Sequence, residues 1–350
     1  MGFIINYVRN LASIACGRQP CHPLLFSYYI THRCNLNCSY CSDGNGNPFK
    51  EDAVSDLGFE DSKNLLSILA KAADTIDITG GEPLLRTDLE GLLEHAKSLG
   101  VRTVLNTKGL GLQDRPDVLR FSSTLVLSLD ALDVHKLSEL LQCPVGTAQE
   151  ILDSVLFAAA YNKQLQIVIS CVATPENLDD VLRVLEFALE KRLGFHLSPE
   201  IIGKKVNPEL QNNAQYRDVI DKVISLKRKR NGILGIHKYL CGIRDFSRFT
   251  CYPLLMPTIR PDGMMYYPCL EFGSADINLL KEGNYQKALI QAKQRHGRFG
   301  QCKDVCHIFC HMGISLFQKH PFSALAETRN WSLALHRRAV THSLLKNKLL

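Results

Sequence analysis

The sequence lacks an apolar run near the ~18 residues that a membrane-spanning helix requires. Its N-terminal stretch is interrupted by Asn6, Arg9 and Asn10, so it does not predict a secretory signal. It also lacks the basic segments with interleaved aromatic residues that are typical of RNA-binding modules, and its net charge of +6 is mild for 350 residues. We therefore expect a cytoplasmic protein with no nucleic-acid partner.

Cysteine, in contrast, is abundant and clustered. Hydrophobic residues make up 45% of the chain and charged residues 22%, an ordinary globular balance. Of the 13 cysteines, eight fall into two groups, which are Cys34, Cys38 and Cys41, and then Cys251, Cys269, Cys302, Cys306 and Cys310. Clustered cysteines without an export signal predict metal ligands in a reducing compartment rather than disulfides.

Residues 25–205 alternate between short β-branched runs and amphipathic helical stretches, which predicts an α/β fold with six parallel strands. Chemically distinctive residues follow or end four of these strands. They are the first cysteine group, the Gly-Gly-Glu of residues 80–82, Asn106, and the pair Ser128 and Asp130. Because ligands bind at the carboxyl ends of strands in such sheets, these positions predict an active site.

The remaining chain divides by composition. Residues 1–24 form an amphipathic segment, 206–240 a linker and a helix, 241–315 a cysteine-bearing region, and 316–350 a basic amphipathic tail. Both ends place apolar residues beside basic or polar ones. Two interpretations stay open: the ends pack against the core, or they contact a membrane surface that carries anionic lipid.

The first cysteine group has the spacing C-x3-C-x2-C. Three thiolates from one loop can hold three corners of an iron–sulfur cube. The alternative is a structural zinc site that takes a fourth ligand such as His32. The spacing alone leaves both open.

The motif CNLNCSYC and the Gly-Gly-Glu-Pro of residues 80–83 resemble those of the radical S-adenosylmethionine (SAM) superfamily. The resemblance extends from residue 25 to about 200. It implies a partial (β/α)6 TIM-like barrel and a [4Fe–4S] cluster on Cys34, Cys38 and Cys41, whose fourth iron is left for SAM. It further implies a reducing partner such as flavodoxin or ferredoxin. The activity it implies is reductive cleavage of SAM to a 5′-deoxyadenosyl radical, which abstracts hydrogen from an unactivated carbon of a peptide, lipid or small-molecule substrate.

The same resemblance implies roles for seven further residues but assigns no catalytic side chain. Gly80, Gly81 and Glu82 would meet the methionine amino group, where the glutamate neutralises an ammonium. Ribose and the methionine carboxylate would be held by Asn106, Ser128 and Asp130, and adenine would lie near Tyr40.

The second cysteine group begins with a predicted β-hairpin, IRPDGMMYYPC, that ends at Cys269. Residues 251–310 resemble a SPASM or twitch auxiliary-cluster domain, but the final spacing is C-x3-C-x3-C, which departs from the family pattern. The resemblance implies one auxiliary [4Fe–4S] cluster held by four of the five cysteines Cys251, Cys269, Cys302, Cys306 and Cys310. If residues 302–310 are helical, their cysteines share one face. The alternative is zinc bound with His307 or His311, which would fit a non-catalytic, zinc-stabilised binding protein.

Overall fold

The computed structural model describes residues 2–41, 54–161, 165–299, 302, 306 and 308–331. The strands are β1 (Phe26–Thr31), β2 (Thr75–Gly80), β3 (Arg102–Thr107), β4 (Thr124–Ser128), β5 (Gln166–Ala173), β6 (Gly194–Pro199), β7 (Ile201–Ile202), β8 (Lys205–Val206), β9 (Thr258–Ile259), β10 (Met264–Tyr267) and β11 (Ser274–Asn278). The helices are α1 (Gly2–Ala15), α2 (Phe59–Ala70), α3 (Leu89–Ser98), α4 (Pro116–Phe121), α5 (Val134–Leu141), α6 (Val145–Tyr161), α7 (Leu178–Glu190), α8 (Ala214–Lys229), α9 (His237–Asp245), α10 (Leu279–Glu282), α11 (Tyr285–His296), α12 (Phe309–Lys319) and α13 (Pro321–Trp331).

Strands β1 to β6 follow one another in a parallel sheet, which confirms the predicted partial barrel. Side chains alternate along each strand. On β2, Ile76 and Ile78 are buried on one face, whereas Asp77 and Thr79 on the other face are partly accessible. The buried face belongs to the main hydrophobic core, which includes residues of α2 and α3. The opposite face forms the barrel interior.

The C-terminal hairpin joins the core sheet. β9 pairs parallel to β1 through Ser27 and Thr258, and β10 pairs antiparallel to β9 through Met265 and Ile259. The predicted hairpin is thus confirmed, but its place beside β1 has no signal in the sequence. Because β1 leads into the first cysteine loop, this pairing brings the C-terminal region near that loop. The domain ranges given above stay predictions.

The segment that carries the last cysteines is not one helix. Cys302 forms an isolated antiparallel bridge with Cys251, and α12 begins only at Phe309. The condition for a shared helix face is therefore not met, because Cys302 is held in extended pairing and Cys310 lies in the first turn of α12. The helix expected within 206–240 is confirmed as α8. In the tail, residues 332–350 lie outside the described residues, as does His307.

Within the described part of the chain, every helix falls short of the length and apolarity needed to cross a membrane.

Candidate active site

The Gly-Gly turn after β2 lies directly against the entrance to the first cysteine loop. Gly81 N–H donates to Thr31 O (2.8 Å) and Glu82 N–H donates to Arg33 O (2.8 Å). A Cβ added at Gly80 would stand 2.1 Å from Thr31 O, and one at Gly81 would stand 2.1 Å from Arg33 O. Gly80 also has φ of 140°, which side chains rarely adopt. Only glycine fits at these two positions, and the contact fixes where the loop begins.

Glu82 connects the ends of β2 and β3. Its carboxylate is 2% exposed and accepts hydrogen bonds from Leu84 N–H (3.0 Å), Thr107 Oγ1 (2.6 Å) and Lys108 N–H (2.9 Å). Burial raises the pKa of the carboxyl, and the hydrogen bond from Thr107 opposes that shift. The carboxylate thus has protein donors in place, and its contact with a ligand ammonium stays a prediction.

A buried network joins two predicted site residues to one that sequence reasoning missed. Lys108 Nζ donates to Tyr40 Oη (2.7 Å) and to Asp130 Oδ2 (2.8 Å), and Tyr40 Oη donates to the same carboxylate oxygen. Asp130 is fully buried and also accepts from Val172 N–H (2.8 Å). The network holds the loop residue Tyr40 against strand ends β3, β4 and β5. Lys108 stands in the LNTKG stretch that carries Asn106, but nothing in that stretch marks it as a partner of Asp130.

The electrostatics of this network involve the thiols. Burial alone would lower the pKa of Lys108, but Asp130 and Cys38 raise it above the ordinary value, with a smaller contribution from Cys41. Burial and the Asp130 carboxylate raise the pKa of Tyr40 well above its usual range. Lys108 therefore stays cationic next to two loop cysteines, where it would stabilise thiolates.

The first cysteine loop is anchored to the end of α5. Asn37 N–H donates to Leu141 O (3.3 Å), and Ser39 N–H donates to Leu140 O (3.1 Å). Cys34 and Cys38 are partly buried and Cys41 is exposed.

A fourth cysteine, Cys143, lies near this loop. Burial raises the pKa of Cys143, and the Cys38 thiol raises it further. His32, considered above as a zinc ligand, is buried with its ring edge-on to Tyr29.

Polar side chains line the barrel interior. Asn106 Nδ2 donates to Asp77 Oδ1, and Ser27 Oγ donates to Asp77 Oδ2 (3.2 Å). Burial raises the pKa of Asp77 to about 6, and the hydrogen bond from Asn106 opposes that shift. Ser128 pairs with Ser170 across β4 and β5. Sequence reasoning missed Asp77, although its inward position follows from strand alternation.

His196 on β6 completes this interior. Its Nδ1 lies 3.3 Å from Ser170 Oγ, and burial lowers the pKa of the imidazole to about 3. The ring is therefore neutral at pH 7. Among the predicted cofactor contacts, the structure brings Tyr40 and Asp130 into one network, places Asn106 on Asp77, and places Ser128 one strand further on.

The second cysteine group divides in two. Cys251 N–H donates to Cys302 O (3.4 Å), and after burial the Cys302, Cys269 and Cys306 thiols contribute to the raised pKa of Cys251. Cys302 likewise acts on Cys269 and on Cys306. These four cysteines are therefore mutual neighbours.

Cys310 shares only part of this neighbourhood, since its thiol is not among the groups that act on Cys251, Cys269 or Cys306. Cys310 lies near the carboxylates of Asp77 on β2 and Glu271, and Glu271 also acts on Cys269 and Cys306. The Cys310 thiol also contributes to the raised pKa of Tyr29 on β1, after burial. Cys310 thus lies near two residues, Asp77 and Tyr29, that face the barrel interior.

Both thiol groups suit iron–sulfur chemistry by the type of donor they offer. Among the described residues, no three His, Cys, Asp or Glu side chains are yet gathered closely enough for a metal ion. The ligands of the first group are therefore assigned from the spacing of its cysteines, and those of the second group from the proximity of its thiols.

The fold and this rim define a class: an open α/β barrel whose first strand ends in a three-cysteine loop beside a Gly-Gly-Glu turn. Residues 28–188 match the model of the Radical SAM superfamily. The chain is 30% identical over 275 residues to "GTP 3′,8-cyclase" of Campylobacter jejuni, covering 70% of this chain and 80% of that relative. It is 25% identical over 288 residues to the Campylobacter fetus "GTP 3′,8-cyclase", covering 74% and 84%.

Two solved structures share the fold. One is anSMEcpe with bound AdoMet, with a TM-score of 0.59, 16% identity, and coverage of 90% of this chain and 98% of that one. The other is Streptococcus suis SuiB bound to precursor peptide SuiA, with a TM-score of 0.58, 18% identity, and coverage of 79% and 67%.

The chain belongs to the radical SAM superfamily and is an enzyme. Membership implies a [4Fe–4S] cluster, SAM, a reductant and a substrate. The non-catalytic zinc alternative is set aside.

Proposed function

We propose that this enzyme binds SAM at a cluster held by Cys34, Cys38 and Cys41 and removes hydrogen from a carbon of a small polar substrate in the barrel interior. When bound, the cluster and SAM supply a 5′-deoxyadenosyl radical as the hydrogen-abstracting group. The observation that carries the proposal is the convergence of the thiol loop, the Gly-Gly turn and the Lys108–Asp130 pair at one end of the barrel.

The chain's own residues position these groups. Gly80 and Gly81 allow the β2 turn to pack directly against the backbone at the start of the cysteine loop, which fixes the position of that loop. Glu82 holds the β3 end in register with that turn. Lys108 holds Tyr40 against Asp130. These contacts prepare the site before a cofactor arrives, which limits the entropy lost on binding.

The inward side chains favour an uncharged or cationic substrate. Toward the carboxyl ends of β1 to β6 the inward positions include the Asp77 carboxyl and the neutral His196, whereas Arg102, at the start of β3, is exposed and pairs with Asp74. Hydroxyls from Ser128 and Ser170 add hydrogen-bonding capacity. A substrate that carries hydroxyl or amine groups matches this lining better than a polyanion does.

A second candidate substrate is GTP, since it is named for relatives with 30% identity. A triphosphate calls for cationic partners, but Arg102 lies at the opposite end of β3 and Lys108 at the rim is already paired with Asp130. We expect GTP to leave the rate of 5′-deoxyadenosine release unchanged and to yield no cyclised product. A GTP-dependent product, detected by mass spectrometry, would overturn the substrate class while leaving SAM cleavage in place.

For the C-terminal group, the neighbourhood supports one auxiliary [4Fe–4S] cluster on Cys251, Cys269, Cys302 and Cys306, with Cys310 as the spare thiol. An SPASM- or twitch-like role for this region follows from that ligand set. A small electron carrier such as flavodoxin or ferredoxin would supply the reducing electron.

The test is SAM cleavage by anaerobically reconstituted full-length protein with dithionite. We expect release of 5′-deoxyadenosine and methionine, measured by chromatography. Protein that carries intact clusters and releases neither product would overturn the proposed function.

A further inference from the structure

The two asparagines of helix α1 face the rest of the protein. Asn6 Nδ2 donates to Pro23 O (2.7 Å) and to Ala72 O (2.9 Å), and Asn6 is 7% exposed. Asn10 is fully buried, donates to His22 O (2.7 Å) and accepts from His22 N–H (3.1 Å). Two polar side chains thus attach the inner face of this helix to the barrel.

The outer face of α1 is apolar. Ile4, Ile5 and Val8 are 69%, 47% and 57% exposed, and Ala12 and Ala15 are exposed on the same side. A surface helix of a soluble domain normally shows the reverse arrangement. A contiguous apolar stripe on a helix surface indicates a contact site.

Helix α1 is firmly attached to the rest of the protein, so its apolar face is a fixed surface. Tyr7 Oη donates to Phe317 O (3.0 Å) on α12, and Gln318 Nε2 donates back to Tyr7 O (3.1 Å). Phe3 N–H donates to Asp74 Oδ2 (3.1 Å), and the rings of Phe3 and Phe317 pack edge to face. The contacts hold α1 from its first turn onward.

Basic residues border the stripe, and the Asp74 carboxylate at the start of the helix is paired with Phe3 N–H and with Arg102. Arg9 is exposed at its border, and Arg18 is exposed just after the helix. The sequence has no Asp or Glu before Asp43. Arg9 and Lys293 both lie near His22, since after burial they contribute to its lowered pKa. A second copy docked on this stripe would bring like charges together, whereas an anionic surface would pair with them.

We propose that α1 binds the surface of membranes that contain anionic phospholipid, with Ile4, Ile5 and Val8 entering the headgroup–acyl boundary and Arg9 and Arg18 contacting headgroups. An apolar helix face beside basic residues favours this arrangement. The enzyme would then work next to a lipid surface.

The test is flotation of the full-length holoprotein with vesicles of phosphatidylcholine alone or mixed with phosphatidylglycerol. We expect salt-sensitive binding to the mixed vesicles only, and a loss of about tenfold or more in Ile5→Glu/Val8→Glu. The matched control is Ile290→Glu on α11, because Ile290 is 57% exposed like Val8. It should bind as the wild type does. Wild-type protein that ignores the mixed vesicles, or a double variant that binds equally, overturns the proposal.

A milder variant covers the case in which the double variant unfolds. Arg9→Gln keeps the apolar stripe and should weaken binding about fivefold while retaining the wild-type unfolding temperature. Unchanged affinity overturns the proposal. A second result would also overturn the proposal: light scattering shows a dimer for the wild type but not for the double variant, and neither protein binds vesicles.

Discussion

The two cysteine groups differ in how the chain assembles them. Cys34, Cys38 and Cys41 come from one short loop after β1, beside the cationic Lys108. The C-terminal thiols come from segments far apart in sequence, and Cys251 meets Cys302 through a backbone bridge. The first group can be recognised as a unit from its spacing. The second can be divided into ligands and a spare thiol only after the chain has folded.

The largest expected effect belongs to the loop. Replacing Cys34, Cys38 and Cys41 together with alanine should reduce 5′-deoxyadenosine release to background, because the three thiolates are the proposed cluster ligands. Release is measured anaerobically with dithionite.

The matched control is Cys143→Ala, because Cys143 is the further cysteine near Cys38. If the fourth iron is left for SAM, this variant keeps the cluster and the activity. Loss of the cluster in Cys143→Ala would mean a closed, four-thiol site and would contradict the account.

Iron content tests the division of the C-terminal group. Wild-type reconstituted protein should hold about eight irons per chain, and Cys269→Ala should hold about four. Cys310→Ala should retain the wild-type content, because the Cys310 thiol is not among the groups that act on Cys251, Cys269 or Cys306. Equal iron loss in Cys269→Ala and Cys310→Ala would show that Cys310 is a cluster ligand. It would also show that proximity among the thiols does not identify the ligands of the auxiliary cluster.

Lys108→Met should weaken SAM binding by about tenfold, since it leaves the buried Asp130 without its cation and releases Tyr40. Lys136→Met is the control, because Lys136 also pairs with a buried carboxylate, Asp180, at 2.6 Å. Both variants should unfold at lower temperature, but only the first should bind SAM less tightly by calorimetry. An equal SAM affinity in the two variants would rule out a positioning role for Lys108.

The smallest effect concerns stability and pH. The Asp77 carboxyl has a folded-state pKa of about 6, above its ordinary value, so the folded state takes up a proton between about pH 4 and 6. The contribution of Asp77 to the free energy of unfolding therefore falls as the pH rises through that window.

Asp77→Asn should remove this pH-dependent contribution. The gain in the free energy of unfolding of the variant over the wild type should therefore be about 1–2 kcal/mol larger at pH 7.5 than at pH 5. Urea denaturation at the two pH values measures the change, with the exposed Asp153→Asn as control. A pH dependence that is the same in Asp77→Asn and wild type would contradict the pKa assignment.

The parallel strands could be predicted from the sequence because their β-branched runs are short and sharply bounded. The candidate site could be predicted because the carboxyl ends of parallel strands lie at one edge of the sheet. The sequence did not predict that β9 would pair with β1, since nothing local encodes a partner over two hundred residues away. Lys108 was missed for the same reason: its partner Asp130 follows a different strand, β4. The sequence left open whether residues 302–310 form one helix, because a spacing of four cannot distinguish a helix face from a bridge followed by the start of a helix.

The central claim is that the loop thiols leave one cluster iron free for SAM. Electron–nuclear double resonance on the reduced protein with SAM labelled with ¹⁵N at its amino group tests it directly. The account predicts a nitrogen coupling to the cluster that persists in Cys143→Ala. A reduced cluster that binds no labelled nitrogen would contradict it.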